Sequence, residues 1–490
     1  MDATDIERFD ARRVGPCNVR RLPGGGVLLT NDSGHYCILE EGEFREFLSG
    51  SVAEGSPLHA RLKEGGFLRE WLDFARWSQE WRRRHSYLNR GPGLHIVVAT
   101  LRCNHRCVYC QAGPVGMDDA STDMTEETAR GVLDRIFQSP SPALMIEFQG
   151  GEPLANWPVV RFIVSDARRR NREAGKDLTI GLVSNLSLMD EGKLAFLMKH
   201  GVTFCTSIDG PADIHDQNRV YLGGNSHAET LRWWHEIFKR TRGKRYRIDG
   251  LTTVTRFALS RPKDVVDSYR DLGARGIYLR FLSPLGLAQK TWDSIGYDAG
   301  EFLAFYREAM EHIIGLGLRN KKVRFFEQTA KMFLHKILAK EEPNNLDIRS
   351  PCGGGIGQVA YNFDGTVYTC DEGRMLGRMG DDSFRIGHVG GGDLAGMVGH
   401  PVVRAVTTAS LLESQPICTQ CAYKPYCGVC PIYNHVQQGD IFGKMLHNMR
   451  CRIYMGIQDF LFEKLRDEKV KGVFERWIAK SQDENISSRY

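Results

Sequence analysis

His95-Ile96-Val97-Val98-Ala99-Thr100-Leu101-Arg102-Cys103-Asn104-His105-Arg106-Cys107-Val108-Tyr109-Cys110 joins a short apolar run to three cysteines spaced C-x3-C-x2-C. The run predicts a strand, and the thiols then sit on one tight loop directly after it. Three thiolates so placed can bind three irons of a cubane, whereas a purely structural cluster normally takes four cysteines. The fourth iron is left open for another ligand. A zinc site lacking one ligand, or three incidental thiols, are the alternatives that spacing leaves open.

Outward from this stretch, strand-like runs near 95–101, 143–149, 178–184, 202–208, 247–254 and 277–283 alternate with helical patterns. Six such βα units predict a parallel sheet with helices packed outside it and a site built from the loops at the strand C-terminal ends. The predicted fold class is α/β, a partial (β/α)6 barrel. Six units rather than eight imply an open barrel with a wide lateral mouth.

The second strand ends in Glu147-Phe148-Gln149-Gly150-Gly151-Glu152-Pro153. Glycines allow close backbone approach to a ligand, and the following carboxylate can accept from an ammonium group. A simple turn is the alternative. The third and fourth ends carry Ser184-Asn185 and Ser207-Ile208-Asp209-Gly210-Pro211, followed by His215-Asp216-Gln217-Asn218-Arg219. Small polar side chains there can bond ribose hydroxyls, and an arginine can pair with a carboxylate. Turn and helix-cap chemistry would use the same residues.

Ten of the thirteen cysteines are clustered. The C-terminal set is Cys352, Cys370, Cys418, Cys421, Cys427, Cys430 and Cys451, with Gly365 between the first two. No basic start or apolar run marks the first thirty residues as an export signal, and no stretch approaches membrane-span length, so a cytoplasmic protein without membrane association is expected. Reduced thiols in that compartment argue for metal or catalysis rather than a disulfide framework. Cys17, Cys37 and Cys205 stand apart and are expected to pack as small hydrophobes. The net charge of +5 is modest for 490 residues. The basic runs Arg82 to His85, Arg168 to Arg170 and Lys239 to Arg247 fall at predicted helix ends, and no nucleic-acid module accompanies them, so no nucleic-acid partner is expected.

Five regions follow. Residues 1–90 predict a hairpin, with strands around Val27–Thr30 and His35–Leu39, then helices including a Trp-rich one from Leu68 to Tyr87. Residues 91–298 are the barrel, and 299–345 a linker with helices at Glu301 to Leu316 and Val323 to Lys340. Residues 346–455 are Gly- and Cys-rich with little periodicity, the character of a segment held by metal rather than by a large apolar core. Residues 456–490 close the chain with a helix near 455–480.

The triplet with the Gly150-Gly151-Glu152-Pro153 turn forty residues on resembles the radical S-adenosylmethionine superfamily, and the C-terminal cysteine pattern resembles its SPASM domain. One departure is that two residues, rather than the commoner three, separate Cys427 from Cys430. The resemblance implies three [4Fe-4S] clusters and S-adenosylmethionine, whose cleavage gives a 5'-deoxyadenosyl radical. It implies Cys103, Cys107 and Cys110 as ligands of the first cluster. Cys352, Cys370 and Cys430 would hold one auxiliary cluster, with a non-cysteine ligand to complete it, and Cys418, Cys421, Cys427 and Cys451 the other. Gly150, Gly151, Glu152, Ser184, Asn185, Ser207, Asp209 and Arg219 would contact the cofactor, Glu152 its amine. Asp371 matches the base of sulfatase maturases.

Within the superfamily, Cys110-Gln111-Ala112 and Cys427-Gly428-Val429-Cys430-Pro431 are similar to the His-Xaa-Ser system maturases. That implies a ribosomally made precursor peptide as substrate, a flavodoxin or ferredoxin as reductant, a paired second radical enzyme, and an N-terminal unit resembling small peptide-recognition domains, for which a plain extension covering the barrel is the alternative. An anaerobic sulfatase maturase making formylglycine, or a non-catalytic iron-sulfur or zinc-binding protein, are the competing functions.

Overall fold

A computed structural model describes residues 9–241, 248–343 and 345–479. The part of the basic run after Thr241 up to Arg247, and the tail from residue 480, lie outside them. Among the described residues no helix is long and apolar enough to cross a membrane.

The N-terminal unit begins with three antiparallel strands, β1 (Asn18–Arg21), β2 (Val27–Thr30) and β3 (Tyr36–Leu39), paired in that order. The expected hairpin is β2–β3, with Thr30 opposite Tyr36. Its core, including Val27, Leu29, Phe44, Phe47, Leu62 and Phe67, is separate from the main one. The single helix expected over Leu68 to Tyr87 is instead a short turn at Arg69–Trp71 and a helix Phe74–Arg84. Asp73 makes the break because its side chain accepts the Arg76 N–H and so caps a new helix start.

The main sheet has nine strands. β4 (Leu94–Val98), β5 (Ala143–Gln149), β6 (Asp177–Val183), β7 (Val202–Ser207), β8 (Ile248–Thr253) and β9 (Leu279–Arg280) are parallel neighbours in chain order. This is the expected six-strand partial barrel. On its other edge β4 pairs in parallel with β10 (Gln358–Tyr361), followed by antiparallel β11 (Thr366–Tyr368) and β12 (Arg385–His388). Burial alternates along β5. Leu144, Ile146 and Phe148 are buried in the core, while Met145, Glu147 and Gln149 face a less crowded lumen. The same alternation places Thr203, Cys205 and Ser207 of β7 on the lumen face.

Four further expectations need correction. The sixth strand is split, because Gly276–Ile277 pairs with Phe326–Glu327 before Leu279–Arg280 joins β8, and the buried Glu327 carboxylate accepts the Leu279 N–H. Glu327 also caps the next helix, which therefore starts at Gln328 rather than Val323. The closing helix is two, Met449–Lys464 and Glu468–Ile478, with Asp467 capping the second. Finally, residues 350–455 are not short of apolar packing. Val359, Tyr361, Val367, Ile386, Val403 and Tyr423 belong to the main core, because β10 to β12 extend the barrel sheet.

Candidate active site

The thiol triplet lies beyond the end of β4 on a loop laced to its surroundings by backbone bonds. Cys103 N–H donates to Val115 O, Val108 N–H to Asn218 O and Leu287 N–H to Cys110 O. Cys107 is buried and Cys103 and Cys110 are half-buried. Burial pushes the Cys103 thiol up to about 12 and Cys107 up to about 11, and the neighbouring thiols push in the same direction. Cys103 Sγ accepts the His105 N–H at 3.4 Å and lies 3.9 Å from Asn185 Nδ2.

The two glycines after β5 leave room for this loop. A Cβ on Gly151 would lie 2.4 Å from Arg102 O and 2.5 Å from Leu101 C. Gly150, at φ +114°, would meet Thr100 O at 2.8 Å. The segment leading into Cys103 thus runs against the Gly-Gly backbone, and Glu152 N–H donates to Arg102 O at 2.7 Å.

Glu152 is 1% exposed. Its Oε1 accepts Leu154 N–H at 3.0 Å and Ser184 Oγ at 2.8 Å, and its Oε2 accepts Asn185 N–H at 2.8 Å. Burial raises its proton affinity, while these donors and the Arg219 charge oppose the shift. Glu152, Ser184 and Asn185 therefore meet as a bracket between the ends of β5 and β6. Ser207 sits at the end of β7 on the lumen face. Asp209 and Arg219 meet through Tyr109, whose Oη donates to Asp209 Oδ2 at 2.7 Å and accepts Arg219 Nη1 at 2.8 Å. Arg219 Nε is buried without a hydrogen-bond partner among the described residues.

Sequence reading passed over the polar chain around the loop. His215 Nδ1 accepts Asp209 N–H, so its Nε2 donates to Ser226 Oγ at 3.0 Å. Ser226 then donates to His105 Nε2 at 3.0 Å, and His105 Nδ1 donates to Asn104 Oδ1 at 3.2 Å. Asn185 Nδ2 donates to the same Asn104 oxygen at 3.0 Å. His105 also stacks on Tyr221, with centroids 4.7 Å apart. Asn104 and His105 lie inside the cysteine motif, which was the available signal, whereas Ser226 had none.

The seven C-terminal thiols form two sets. Cys370 feels Cys430 and Cys352, and Cys430 feels Cys352. Cys418 feels Cys427, Cys451 and Cys421. Burial raises the Cys370, Cys418, Cys421, Cys427, Cys430 and Cys451 thiols, pushing Cys430 and Cys451 up to about 12. Cys370 and Cys430 each cap a helix, accepting the Gly373 and Tyr433 N–H groups at 3.4 Å, where a thiolate is favoured. Asp371, next to Cys370, is buried and accepts Arg374 Nε at 2.7 Å. Of the unclustered cysteines, Cys37 lies in the N-terminal core and Cys17 packs against it. Cys205 differs, facing the lumen near Glu147, Asp249 and Arg280.

Residues 97–279 match the family profile of the radical SAM superfamily. A cysteine-type anaerobic sulfatase-maturating enzyme of Clostridium perfringens is 23% identical over 295 residues, covering 57% of this chain and 75% of that one. Native anSMEcpe with bound AdoMet and Cp18Cys peptide superposes with a TM-score of 0.63 at 20% identity, over 77% of this chain and 99% of that one. Streptococcus suis SuiB bound to its precursor peptide SuiA gives 0.51 at 13% identity, over 88% and 98%. These likenesses establish the fold.

The superfamily implies a [4Fe-4S] cluster and S-adenosylmethionine, and the triplet fits the cluster. Its three thiols, one buried and two half-buried, share one loop, and Cys103 and Cys107 are raised by their thiol neighbours, the arrangement that a cationic cluster would relieve. Among the described residues no group of three His, Cys, Asp or Glu side chains is placed to hold a single metal ion.

Proposed function

We infer that this chain, which carries a radical SAM domain over residues 97–279, is a maturase that modifies a ribosomally made peptide by crosslinking or other C–H functionalisation. The observation that carries the reading is the placement of the clustered cysteines at three sites, Cys103, Cys107 and Cys110 on the barrel loop, Cys370 and Cys430 in one small apolar cluster, and Cys418, Cys427 and Cys451 in another. Cys103, Cys107 and Cys110 hold the first cluster. Cys352, Cys370 and Cys430 hold one auxiliary [4Fe-4S] cluster, and Cys418, Cys421, Cys427 and Cys451 the other.

The cluster and S-adenosylmethionine supply a 5'-deoxyadenosyl radical when bound. The protein's part is placement. Gly150 and Gly151 let the cysteine loop lie against the end of β5, and the Glu152 bracket fixes β5 against β6 beside Cys103. Glu152 receives the cofactor amine and Asn185 and Ser207 its polar groups, with Ser184, Asp209 and Arg219 holding the surrounding strand ends. Asp371, buried beside Cys370 and felt by the lumen residue Glu147, is the proton acceptor for substrate oxidation.

Residues 1–90 present the peptide's leader to the barrel by strand addition to the N-terminal sheet. The SuiB chain matches 88% of this protein and anSMEcpe 77%, which favours a peptide maturase with an additional unit over a sulfatase maturase. A flavodoxin or ferredoxin supplies electrons, and a second radical enzyme acts on the same precursor. Anaerobic co-expression with the precursor encoded beside the gene, followed by tandem mass spectrometry, tests the reading. A mass change on that peptide is expected, and a formylglycine on a sulfatase with the precursor untouched would overturn it.

A further inference from the structure

The Arg374 side chain is 1% exposed, and its Nε is matched by Asp371 Oδ1 at 2.7 Å. Its Nη1 and Nη2 are buried with no hydrogen-bond partner among the described residues. Taking such donors out of water without an acceptor is costly, and native proteins keep very few of them. The unmatched edge of a guanidinium is a planar two-donor fork, the shape that fits a carboxylate through two parallel bonds.

The surroundings indicate where that carboxylate comes from. Arg374 lies one helical turn beyond Cys370 on the helix Asp371–Arg378. Arg378, one turn further along the same helix, donates through Nε to Gly113 O at 3.2 Å, so the helix is seated against the loop that follows Cys110. Glu152, the expected seat of the cofactor's amine, lies instead on the Cys103 side, since it accepts the N–H of Asn185, whose Nδ2 is 3.9 Å from Cys103 Sγ. Asp371, the partner of Arg374, is felt by Glu147 on the lumen face of β5. The fork therefore lies between the barrel lumen and the auxiliary cysteines, away from Glu152. An anion entering there meets the Glu147 and Asp371 carboxylates, which repel it, and the Arg280 and Arg374 guanidiniums, which attract it, and of these two cations Arg374 has its paired donors unmatched.

We propose that Arg374 is a substrate-selecting residue whose Nη1 and Nη2 grip a carboxylate of the incoming peptide, an Asp or Glu side chain, while its Nε stays on Asp371. This rests on the reading of the substrate as a peptide. The same bond that orients Asp371 then ties the substrate's acidic residue to it, which fixes which neighbouring C–H faces the lumen.

The test uses anaerobically reconstituted holoenzyme with S-adenosylmethionine present and two small probes, N-acetyl-glutamate N-methylamide and N-acetyl-glutamine N-methylamide, titrated by calorimetry. Wild type is expected to bind the glutamate probe about tenfold more tightly, and Arg374→Gln to lose the preference while its affinity for S-adenosylmethionine is unchanged. Absence of a preference in wild type, or its survival in Arg374→Gln, overturns the proposal. So does a variant that weakens only S-adenosylmethionine binding, which would assign the carboxylate to the cofactor. A variant that shifts only cluster potentials would assign the fork to the clusters and overturn it equally. Should Arg374→Gln fail to load iron, Arg374→Lys is read instead, and its preference must fall about threefold for loss of the fork. Formation of 5'-deoxyadenosine by wild type, measured in parallel, tests the radical reading separately, because probe binding does not require it.

Discussion

The Glu152 carboxylate accepts the backbone N–H of Asn185 at 2.8 Å, so the ends of neighbouring strands β5 and β6 are joined by a fully buried acid. Removing it does two things at once. Glu152→Ala leaves the Leu154 and Asn185 N–H groups and the Ser184 hydroxyl short of an acceptor, at about 1–3 kcal/mol of stability for each unsatisfied group. It also removes the proposed amine acceptor. S-adenosylmethionine binding should weaken by roughly 1.5–3 kcal/mol while the triplet retains its iron. Calorimetric titration with iron analysis checks this, and unchanged affinity would remove Glu152 from the cofactor site.

Gly151→Ala should fail locally. Its Cβ would lie 2.4 Å from Arg102 O, and backbone on both sides cannot yield without moving the Cys103 loop. The variant is expected to lose about a third of the iron of a three-cluster protein, as should the combined Cys103→Ala, Cys107→Ala and Cys110→Ala variant. Iron analysis and the reduced-cluster electron resonance signal report the loss. Full loading of Gly151→Ala would show that the loop has another place to go.

The iron total itself is a prediction. Three cubanes require about twelve irons per chain after anaerobic reconstitution. Stoichiometric zinc with little iron would replace the cluster assignment with zinc sites. Because residues 350–455 share the main apolar core, chelation should loosen the cysteine loops without unfolding β10 to β12. Proteolysis confined to 410–450 is the expected pattern, whereas cleavage throughout 350–455 would mean that metal holds the whole segment.

Arg20 clamps Asp459 with bonds of 2.7 and 2.6 Å, and Asn18 Nδ2 and Thr30 Oγ1 donate to the carbonyls of Cys421 and Ala422. The N-terminal sheet is thus seated on the loop that carries Cys421. Arg20→Ala should cost about 3 kcal/mol, since it leaves a buried carboxylate without its main cation. Thermal unfolding should fall accordingly, and protease should then cut between residues 85 and 95. An unchanged melting temperature would make the clamp a surface pair of little consequence.

Burial holds His95 at about 3 and His215 at about 2, both far below the ordinary imidazole value. The unfolded chain takes up these protons first as pH falls. Stability is therefore full above about pH 6.5 and declines below it, by about 1.4 kcal/mol per pH unit for each histidine, until the folded values are reached. His95→Gln should remove one such share. Urea unfolding at pH 6.5 and 5.5 measures it, and identical slopes for variant and wild type would contradict the burial argument.

Much of this was legible along the chain because the signals are local. A cysteine spacing describes what one loop can present, and alternating apolar runs report the strands directly, so the partial barrel and the strand-end positions of Glu152, Asn185 and Ser207 could be read without coordinates. Local breaks were missed where a single side chain decided them, as when Asp73, Glu327 and Asp467 capped new helices inside runs that looked continuous.

The sequence by itself determined the six βα units, the triplet loop after β4 and the ten clustered thiols, since each is a pattern over a few adjacent residues. Only the tertiary structure decided that residues 350–455 continue the barrel sheet, that Gly151 serves the backbone before Cys103, and that the helix carrying Asp371 and Arg374 packs on the triplet loop through Arg378 and Gly113. Those relations join residues far apart in the chain. They arise when β10 pairs with β4 and brings the helix after Cys370 to the barrel mouth, and no local periodicity encodes which strand edge another segment will find.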